Sequence, residues 1–256
     1  MKILLSNDDG YNAEGLLRLA LALKDRHEVH ISAPAGEQSG SGHGLTFGRG
    51  LGWRRVPADE LPEVDGKRVD VPCHAVYGSP ADAVKFAIEH IYLGERFDLV
   101  ISGVNTVLNI GSDIIYSGTF GAAEEGTILG VPSIALSTNV RKGGYDAAID
   151  FIVRNLDEIY PLIPPLVTIN VNVPFGNADD IKGVAVAPLG IRRYKDWYEP
   201  HDELFRLKGY PYDCSANEEE DDCVMSDRGY ITITPVKIAD TDFDCLEKLG
   251  AKEWKA

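Results

Sequence analysis

The chain has 256 residues, of which 44% are hydrophobic, and its 25 basic and 40 acidic side chains give a formal net charge of −15. The hydrophobic fraction is enough for a sizeable core in one large domain or two small ones. The negative charge argues against general DNA or RNA binding, because it repels nucleic-acid phosphates. An anionic substrate would therefore need a site with its own positive potential, supplied by a bound cation or by helix N-termini.

The cysteines and the apolar segments are typical of a cytoplasmic protein. The four cysteines are scattered and form no C-x-x-C pair, which argues against a zinc ribbon. Cys214 and Cys223 share a segment and could pair only in an oxidising compartment. The apolar run at residues 1–6 is too short for a secretory signal, and no apolar stretch reaches the roughly 18 residues of a membrane span. We therefore expect a cytoplasmic protein with no membrane partner.

Strands and helices alternate over residues 1–165. Short apolar runs predict strands, and apolar side chains at helical spacing predict helices. The strands are expected at residues 2–6, 29–33, 97–101 and 131–136, and the helices at residues 15–24, from 79 onward, 117–130 and 145–160. Ser79, Pro80 and Asp82 have the spacing of a capped helix start. This alternation predicts a parallel α/β sheet, with extended segments and turns at residues 51–77.

The pattern changes after residue 166. Apolar alternation predicts strands at residues 167–173, 184–187 and 230–234, joined by long polar loops, as an appended β-rich part. The acidic run at residues 218–222 is expected to be a solvated, mobile loop. Residues 240–244 resemble the start of a calcium-binding loop, but Cys245 and Ala251 replace its required glycine and glutamate. We therefore expect a surface turn there, followed by a solvated tail.

Polar residues follow the predicted strands at the points where they end. Ligands of an open parallel sheet bind outside the carboxyl ends of its strands, so these loops are expected to meet at one edge. The first strand is followed by Asn7, Asp8, Asp9 and Gly10, the second by a loop with Ser39, Gly40 and His43, and the strand near residue 101 by Asn105 and Asn109. Such oxygen ligands suit a hard divalent cation, Mg²⁺ or Mn²⁺.

The adjacent carboxylates of Asp8 and Asp9 have two interpretations. A cation would relieve their mutual repulsion, with one carboxylate as a direct ligand and the other holding a water molecule. Gly10 would permit the tight turn that this needs. Alternatively, Asp9 or Asn12 caps the N-terminus of the helix that follows.

Ser117, Gly118 and Thr119 open a predicted helix and also have two interpretations. Hydroxyls and free N–H groups at a helix N-terminus can bind a phosphate, whereas Ser and Thr also serve simply as caps. His43 is a candidate proton donor, because the unperturbed pKa of histidine lies near 6.5, although a lone loop histidine is often a bystander. The signatures G-x-x-x-x-G-K-[ST], G-x-G-x-x-G, G-x-S-x-G and H-E-x-x-H are absent from the chain.

Several short motifs together resemble one family. They are S-N-D-D-G at residues 6–10, A-P-x-x-E-Q-S-G at 33–40, G-S-P-A-D at 78–82, S-G-V-N at 102–105 and Y-S-G-T at 116–119. In this order they resemble the SurE family of survival proteins, which are metal-dependent nucleoside-monophosphate phosphatases. The runs R-R-Y at 192–194 and G-Y-I-T-I-T-P at 229–235 are also similar to that family.

The resemblance implies a Rossmann-like, three-layer αβα fold with a mainly parallel sheet. It implies one domain, in which residues 1–165 carry the metal site and residues 166–256 form a β-rich extension that makes homodimers or homotetramers. It also implies hydrolysis of nucleoside 5′- and 3′-monophosphates by attack of water, assisted by one Mg²⁺ or Mn²⁺ per subunit. The implied metal ligands are Asp8, Asp9, Ser39 and Asn105, with Asp8 and Asp9 catalytic, and the implied phosphate or substrate contacts are Asn7, Gly40, Asn109, Ser117, Gly118 and Thr119.

One position departs from the family pattern. The family usually has N-x-G-x-N after the S-G step, whereas Val107 stands here between Asn105 and Asn109. A β-branched residue does not readily adopt a positive φ, so we expect a different loop backbone and an altered wall for the base. The alternatives to a phosphatase are a glycosyltransferase that uses a sugar nucleotide and a catalytically silent metal- or nucleotide-binding protein. Tyr77 or Tyr116 could stack on a base.

Overall fold

The computed structural model describes residues 1–142, 144–175, 178–212, 220–238 and 241–251. Within these ranges the strands are β1 (Lys2–Ser6), β2 (Glu28–Pro34), β3 (Gly52–Val56), β4 (Cys73–Tyr77), β5 (Leu99–Asn105), β6 (Ser133–Thr138), β7 (Val167–Val173), β8 (Gly183–Val186), β9 (Arg193–His201), β10 (Leu204–Tyr212) and β11 (Tyr230–Lys237). The helices are α1 (Glu14–Leu23), α2 (Pro80–Phe86), α3 (Gly118–Ile128), α4 (Asp146–Ile159), α5 (Asp222–Asp227) and α6 (Phe243–Gly250).

Nine strands form one sheet in the order β3-β4-β2-β1-β5-β6-β7-β11-β8. The six neighbouring strands from β4 to β7 are all parallel, whereas β3 is antiparallel to β4 and β11 is antiparallel to β7. The predicted mainly parallel α/β fold is therefore confirmed. No helix of the described ranges is long and apolar enough to span a membrane.

Helices cover both faces of the sheet, as the alternation of side chains in its strands requires. Ile3 and Leu5 of β1 pack in one cluster with buried residues of α1 and α4. Leu4, between them, points to the opposite face and packs with Val84 of α2 and Ala122 of α3. The result is the three-layer arrangement expected from the sequence.

The capped start of α2 follows the prediction. The Ser79 hydroxyl accepts from Asp82 N at 3.0 Å, and the Asp82 carboxylate accepts from Ser79 N at 2.9 Å. Pro80 takes the first helical position, where no backbone donor is needed. A π-helix, Ala87–Ile91, continues the segment.

The sheet continues beyond residue 165, because β7, β11 and β8 extend it. Of the strands in the described ranges, only β9 and β10 lie outside it, as an antiparallel hairpin whose residues are all exposed. The polar loop expected there was a wrong prediction. With neither face buried, the strands have no need of the apolar alternation that marks a half-buried strand.

The last two residues of the acidic run, Asp221 and Asp222, do not lie in the solvated loop that its composition predicted. Residues 218 and 219 lie outside the described ranges, but Asp221 is buried and caps α5, and Asp222 is 0% exposed. Asp242 likewise caps α6, so a short helix replaces the surface turn expected near it. Cys214, Asp240 and the tail at residues 252–256 lie outside the described residues, so the possible Cys214–Cys223 pairing stays a prediction.

Candidate active site

A cleft of about 1110 Å³ opens beside the carboxyl ends of β1 and β5. The loops after β1, β2 and β5 form one wall, and the start of α3 and the root of the β9–β10 hairpin complete it. The predicted site residues in its lining are Asp8, Asp9, Ser39, Gly40, Asn105, Asn109 and Ser117. The structure therefore brings together all four residues expected to hold a metal.

The turn after β1 is held by Asn7. Its Nδ2 donates to Gly10 O at 3.0 Å, and Gly10 N donates to its Oδ1 at 3.1 Å. Gly10 has a φ of 108°, which a residue with a side chain rarely adopts. Asn7 is 1% exposed and bonded at both ends of its amide, so its side chain holds the turn, and its contact with the substrate stays a prediction.

The capping interpretation of the aspartate pair is excluded by the start of α1. Its N-cap position is occupied by Ala13, with no side-chain capping bond. Asp8 and Asp9 therefore lie in the cleft without serving the helix that follows them. Burial raises the pKa of Asp8, an effect that hydrogen bonds from Thr119 partly oppose. Burial, then the charges of Asp8 and Glu37, raise the pKa of Asp9 to about 6.

The start of α3 lies directly against Asp8. The Ser117 hydroxyl caps the helix by accepting from Phe120 N at 3.0 Å. The Thr119 hydroxyl, which is fully buried, donates to Asp8 Oδ1 at 2.5 Å. A Cβ on Gly118 would lie 2.8 Å from Asp8 Cβ, so only glycine allows this approach. The Thr119 side chain therefore holds Asp8, and the contact between Thr119 and the phosphate stays a prediction.

The other two expected ligands are each fixed by one hydrogen bond. The Ser39 hydroxyl donates to Glu37 Oε1 at 2.7 Å, and Asn105 Nδ2 donates to Val107 O at 2.8 Å. The bond from Asn105 leaves its Oδ1 as the side-chain atom available to a ligand. The loop of Ser39 is tied to the aspartates by Gln38 N, which donates to Asp8 O at 2.7 Å.

Val107 adopts no positive φ, because the non-glycine residues of the described chain with positive φ lie elsewhere. Its side chain is 56% exposed and lines the cleft. Asn109 is buried instead: its N–H donates to Asn172 Oδ1 at 2.8 Å, and its Nδ2 donates to Ser137 Oγ at 3.0 Å. Asn109 thus anchors the loop to β6 and β7, with its amide nitrogen already committed.

His43 lies away from the lining of the cleft. Its two ring nitrogens contact Glu124 and Glu125, each at 2.7 Å, and Lys85 also contacts Glu125 at 2.7 Å. The hydrogen bonds to Glu124 and Glu125, of which the one to Glu124 has the larger effect, raise the pKa of His43 to about 9. His43 therefore fastens its loop to α3 through these two contacts, and its candidate role as a proton donor stays a prediction.

Three lining residues that sequence reasoning left without a role form a contact at the far side of the cleft. Asp113 Oδ2 accepts from Arg192 Nη1 at 2.8 Å and from the Tyr194 hydroxyl at 2.5 Å. The backbone of Arg192 also exchanges hydrogen bonds with the Ser112 hydroxyl, at 2.8 and 3.1 Å. The R-R-Y motif was the available signal, but its partner is distant in sequence.

A buried acidic group lies behind this contact. Asp221, Asp222 and Cys223 are the one set of three neighbouring metal-type side chains found in the described residues. Asp222 accepts from Gly111 N at 3.0 Å and from Gly190 N at 2.8 Å, while Asp221 caps α5. These carboxylates therefore fasten the hairpin root to the cleft wall.

Comparison with known proteins identifies the family of the chain. The family model described as "Survival protein SurE" matches residues 3–196. The chain belongs to the SurE family. The 5′-nucleotidase SurE of Gloeobacter violaceus is 39% identical, with 100% of this chain and 97% of the relative covered, and that of Symbiobacterium thermophilum is 40% identical, with 98% and 97% covered. The crystal structure of SurE from Aquifex aeolicus superposes with a TM-score of 0.79 at 31% identity, covering 97% of this chain and 98% of that one.

Proposed function

We propose that this SurE-family chain is a 5′-nucleotidase that hydrolyses nucleoside 5′-monophosphates, and 3′-monophosphates as well, with one Mg²⁺ or Mn²⁺ per subunit. The observation that carries the proposal is the meeting of Asp8, Asp9, Ser39 and Asn105 in one cleft, beside the N-terminus of α3. The names of the relatives from Gloeobacter and Symbiobacterium support the same reaction.

The donor set fits a hard divalent cation, which prefers carboxylate, hydroxyl and amide oxygens. Thr119 occupies Asp8 Oδ1, so Oδ2 is the oxygen left for a ligand. Burial and the neighbouring carboxylates raise the pKa of Asp9 to about 6, because they disfavour its ionised form. A bound cation would stabilise that ionised form. When bound, the cation would neutralise charge on the phosphoryl oxygens and activate water.

The protein's own groups divide the remaining work. The N-terminus of α3 offers backbone N–H groups and a positive dipole end to the phosphate, and Ser117 of this segment lines the cleft. Asp9, beside the fixed Asp8, is the carboxylate that would hold and orient the attacking water. Tyr116, exposed in the lining, is the candidate for stacking on the base, whereas Tyr77 lines a separate depression.

The proposal extends to location and assembly. We keep residues 1–165 as the core with the metal site and residues 166–256 as the part that forms a homodimer or homotetramer. Support comes from the exposed apolar side chains of the hairpin and from one face of α6; they are Trp197, Tyr198, Phe205, Leu207, Phe243, Leu246 and Leu249. Light scattering of Phe205→Glu tests this part, and an unchanged mass would contradict it.

The charge of −15 and the scattered cysteines support a cytoplasmic protein without a nucleic-acid partner.

The test is phosphate release from a panel of nucleoside 5′- and 3′-monophosphates, with and without chelator. We expect metal-dependent release that needs no sugar acceptor, and Asp8→Asn should lower kcat about a hundredfold or more. Activity that survives chelation, or Asp8→Asn within about threefold of the parent, would refute the proposal. Nucleotide binding without phosphate release would indicate the silent binding protein instead.

A further inference from the structure

Glu37 lines the cleft and contacts Ser39, but the proposed reaction leaves it without a role. Its Oε1 accepts the Ser39 hydroxyl at 2.7 Å. Asp8 and Asp9 line the same cleft. Glu37 is thus a third carboxylate at the metal end of the cleft.

The contact matters because of what a serine hydroxyl can offer. A hydroxyl has one proton and two lone pairs, so its oxygen faces a cation well only when the proton points elsewhere. In the described structure the Ser39 hydroxyl donates to Glu37.

The loop geometry keeps this pair in place. Gln38, between the two residues, donates its N–H to Asp8 O at 2.7 Å. Gly40 follows with a φ of 75°, which turns the chain immediately after Ser39. The Glu37–Ser39 pair is therefore fixed to the backbone of the aspartate that the proposed function makes a metal ligand.

We propose that Glu37 is a positioning residue for the metal site. Its carboxylate accepts a hydrogen bond from the Ser39 hydroxyl, so the lone pairs of the hydroxyl oxygen are directed to the cation. The inference rests on the proposed metal-dependent function and adds to it a residue that acts through Ser39 and not as a ligand itself. Outer partners of this kind commonly change metal affinity about 10- to 100-fold when they are removed.

The experiment is a double-mutant cycle read by calorimetric titration of Mn²⁺ into the metal-free protein, without nucleotide. We expect Glu37→Met to weaken Mn²⁺ binding about tenfold or more. Glu37→Gln, whose amide oxygen can still accept the proton, should recover most of that loss. In a Ser39→Ala background, Glu37→Met should change the affinity less than about threefold, because the hydroxyl through which Glu37 acts is gone.

Glu89→Met is the matched control, since it removes the same charge from an exposed side chain of the π-helix outside the cleft. Its Mn²⁺ affinity should match the parent, and so should the metal-free unfolding midpoints of the Glu37, Ser39 and Glu89 variants, as expected for exposed positions. The role of Glu37 would be overturned if Glu37→Met lowered the Mn²⁺ affinity equally in the parent and in the Ser39→Ala background. It would also be overturned if Glu37→Gln bound Mn²⁺ as weakly as Glu37→Met. If Asp8→Asn left Mn²⁺ binding unchanged, the proposed metal site itself would fail, and this inference with it.

Discussion

Replacing His43 by glutamine is expected to remove a pH-dependent part of the folding stability. The ring lies between Glu124 and Glu125, with a ring nitrogen 2.7 Å from each carboxylate. The hydrogen bonds, foremost that to Glu124, raise the pKa of His43 to about 9 in the folded protein. In the unfolded chain the pKa is expected to be about 6.5.

The sign and size of the effect follow from this difference. The folded state binds the proton more tightly, so the stabilisation is fully present below about pH 6.5 and is lost as the pH rises through about 9. The shift corresponds to at most roughly 3 kcal/mol. The side chain is 24% exposed and Lys85 shares Glu125, so we expect about 1–2 kcal/mol in the free energy of unfolding.

Urea unfolding of the parent and of His43→Gln between about pH 6 and pH 10 measures this difference. The gap in unfolding free energy should be largest at the low end and shrink as the pH approaches 10. A difference in unfolding free energy that stayed constant over that range would refute the protonation of His43 in the folded protein. In activity assays His43→Gln should lose less than about tenfold in kcat, whereas a proton donor would lose a hundredfold or more.

Three further substitutions test the contacts of the cleft. Thr119→Val removes the donor to Asp8, so the free energy of unfolding should fall by about 1–3 kcal/mol and Mn²⁺ affinity should drop in calorimetry; unchanged Mn²⁺ binding would contradict the contact. Gly118→Ala puts a Cβ 2.8 Å from Asp8 Cβ, so thermal unfolding should show about 1–3 kcal/mol of destabilisation, and a neutral result would contradict the packing. Asp113→Ala breaks the ion pair with Arg192, so steady-state kinetics should show KM raised about fivefold with little change in kcat, and a fall in kcat alone would count against it.

The parts of the fold that the sequence predicted are those whose apolar pattern is set by burial. β1 is Lys2–Ser6 both in the prediction and in the structure, because Ile3, Leu4 and Leu5 are all covered by helices. The predicted end of β5, at residue 101, falls short of the observed end. In fact the strand runs on to Asn105 through an irregular pairing with β6.

Gly103 explains why the extension of β5 to Asn105 could not be predicted from the apolar pattern of the sequence. It has a φ of 151°, and a Cβ there would lie 2.4 Å from Leu136 O. The glycine thus marks a close approach of β5 to β6, not a turn that ends the strand. The hairpin of β9 and β10 was missed for the opposite reason, because no residue of either strand is buried and the sequence is free of a packing constraint.

At the site, sequence position predicted which residues meet but not how their atoms are used. Strand ends brought Asp8, Ser39 and Asn105 into one cleft, as parallel topology requires. Asn7 bonds to Gly10 within its own motif, whereas His43 bonds to Glu124 and Glu125 of α3. The partners of His43 are distant in sequence, so no local motif specifies them.

Ser117, Gly118 and Thr119 at the start of α3 show why the meeting of residues can be predicted from sequence while the use of their atoms cannot. Ser117 caps the helix, Gly118 admits the helix against Asp8 because it has no Cβ, and Thr119 donates to the carboxylate. One short motif therefore joins the positive end of a helix to a predicted metal ligand. The helix end stabilises the ionised form of Asp8 through nearby N–H dipoles, while burial acts against that form. In the proposed reaction Ser117 and the Gly118 N–H are then the groups of α3 left for the phosphate, because the Thr119 hydroxyl donates to Asp8 and Phe120 N donates to Ser117.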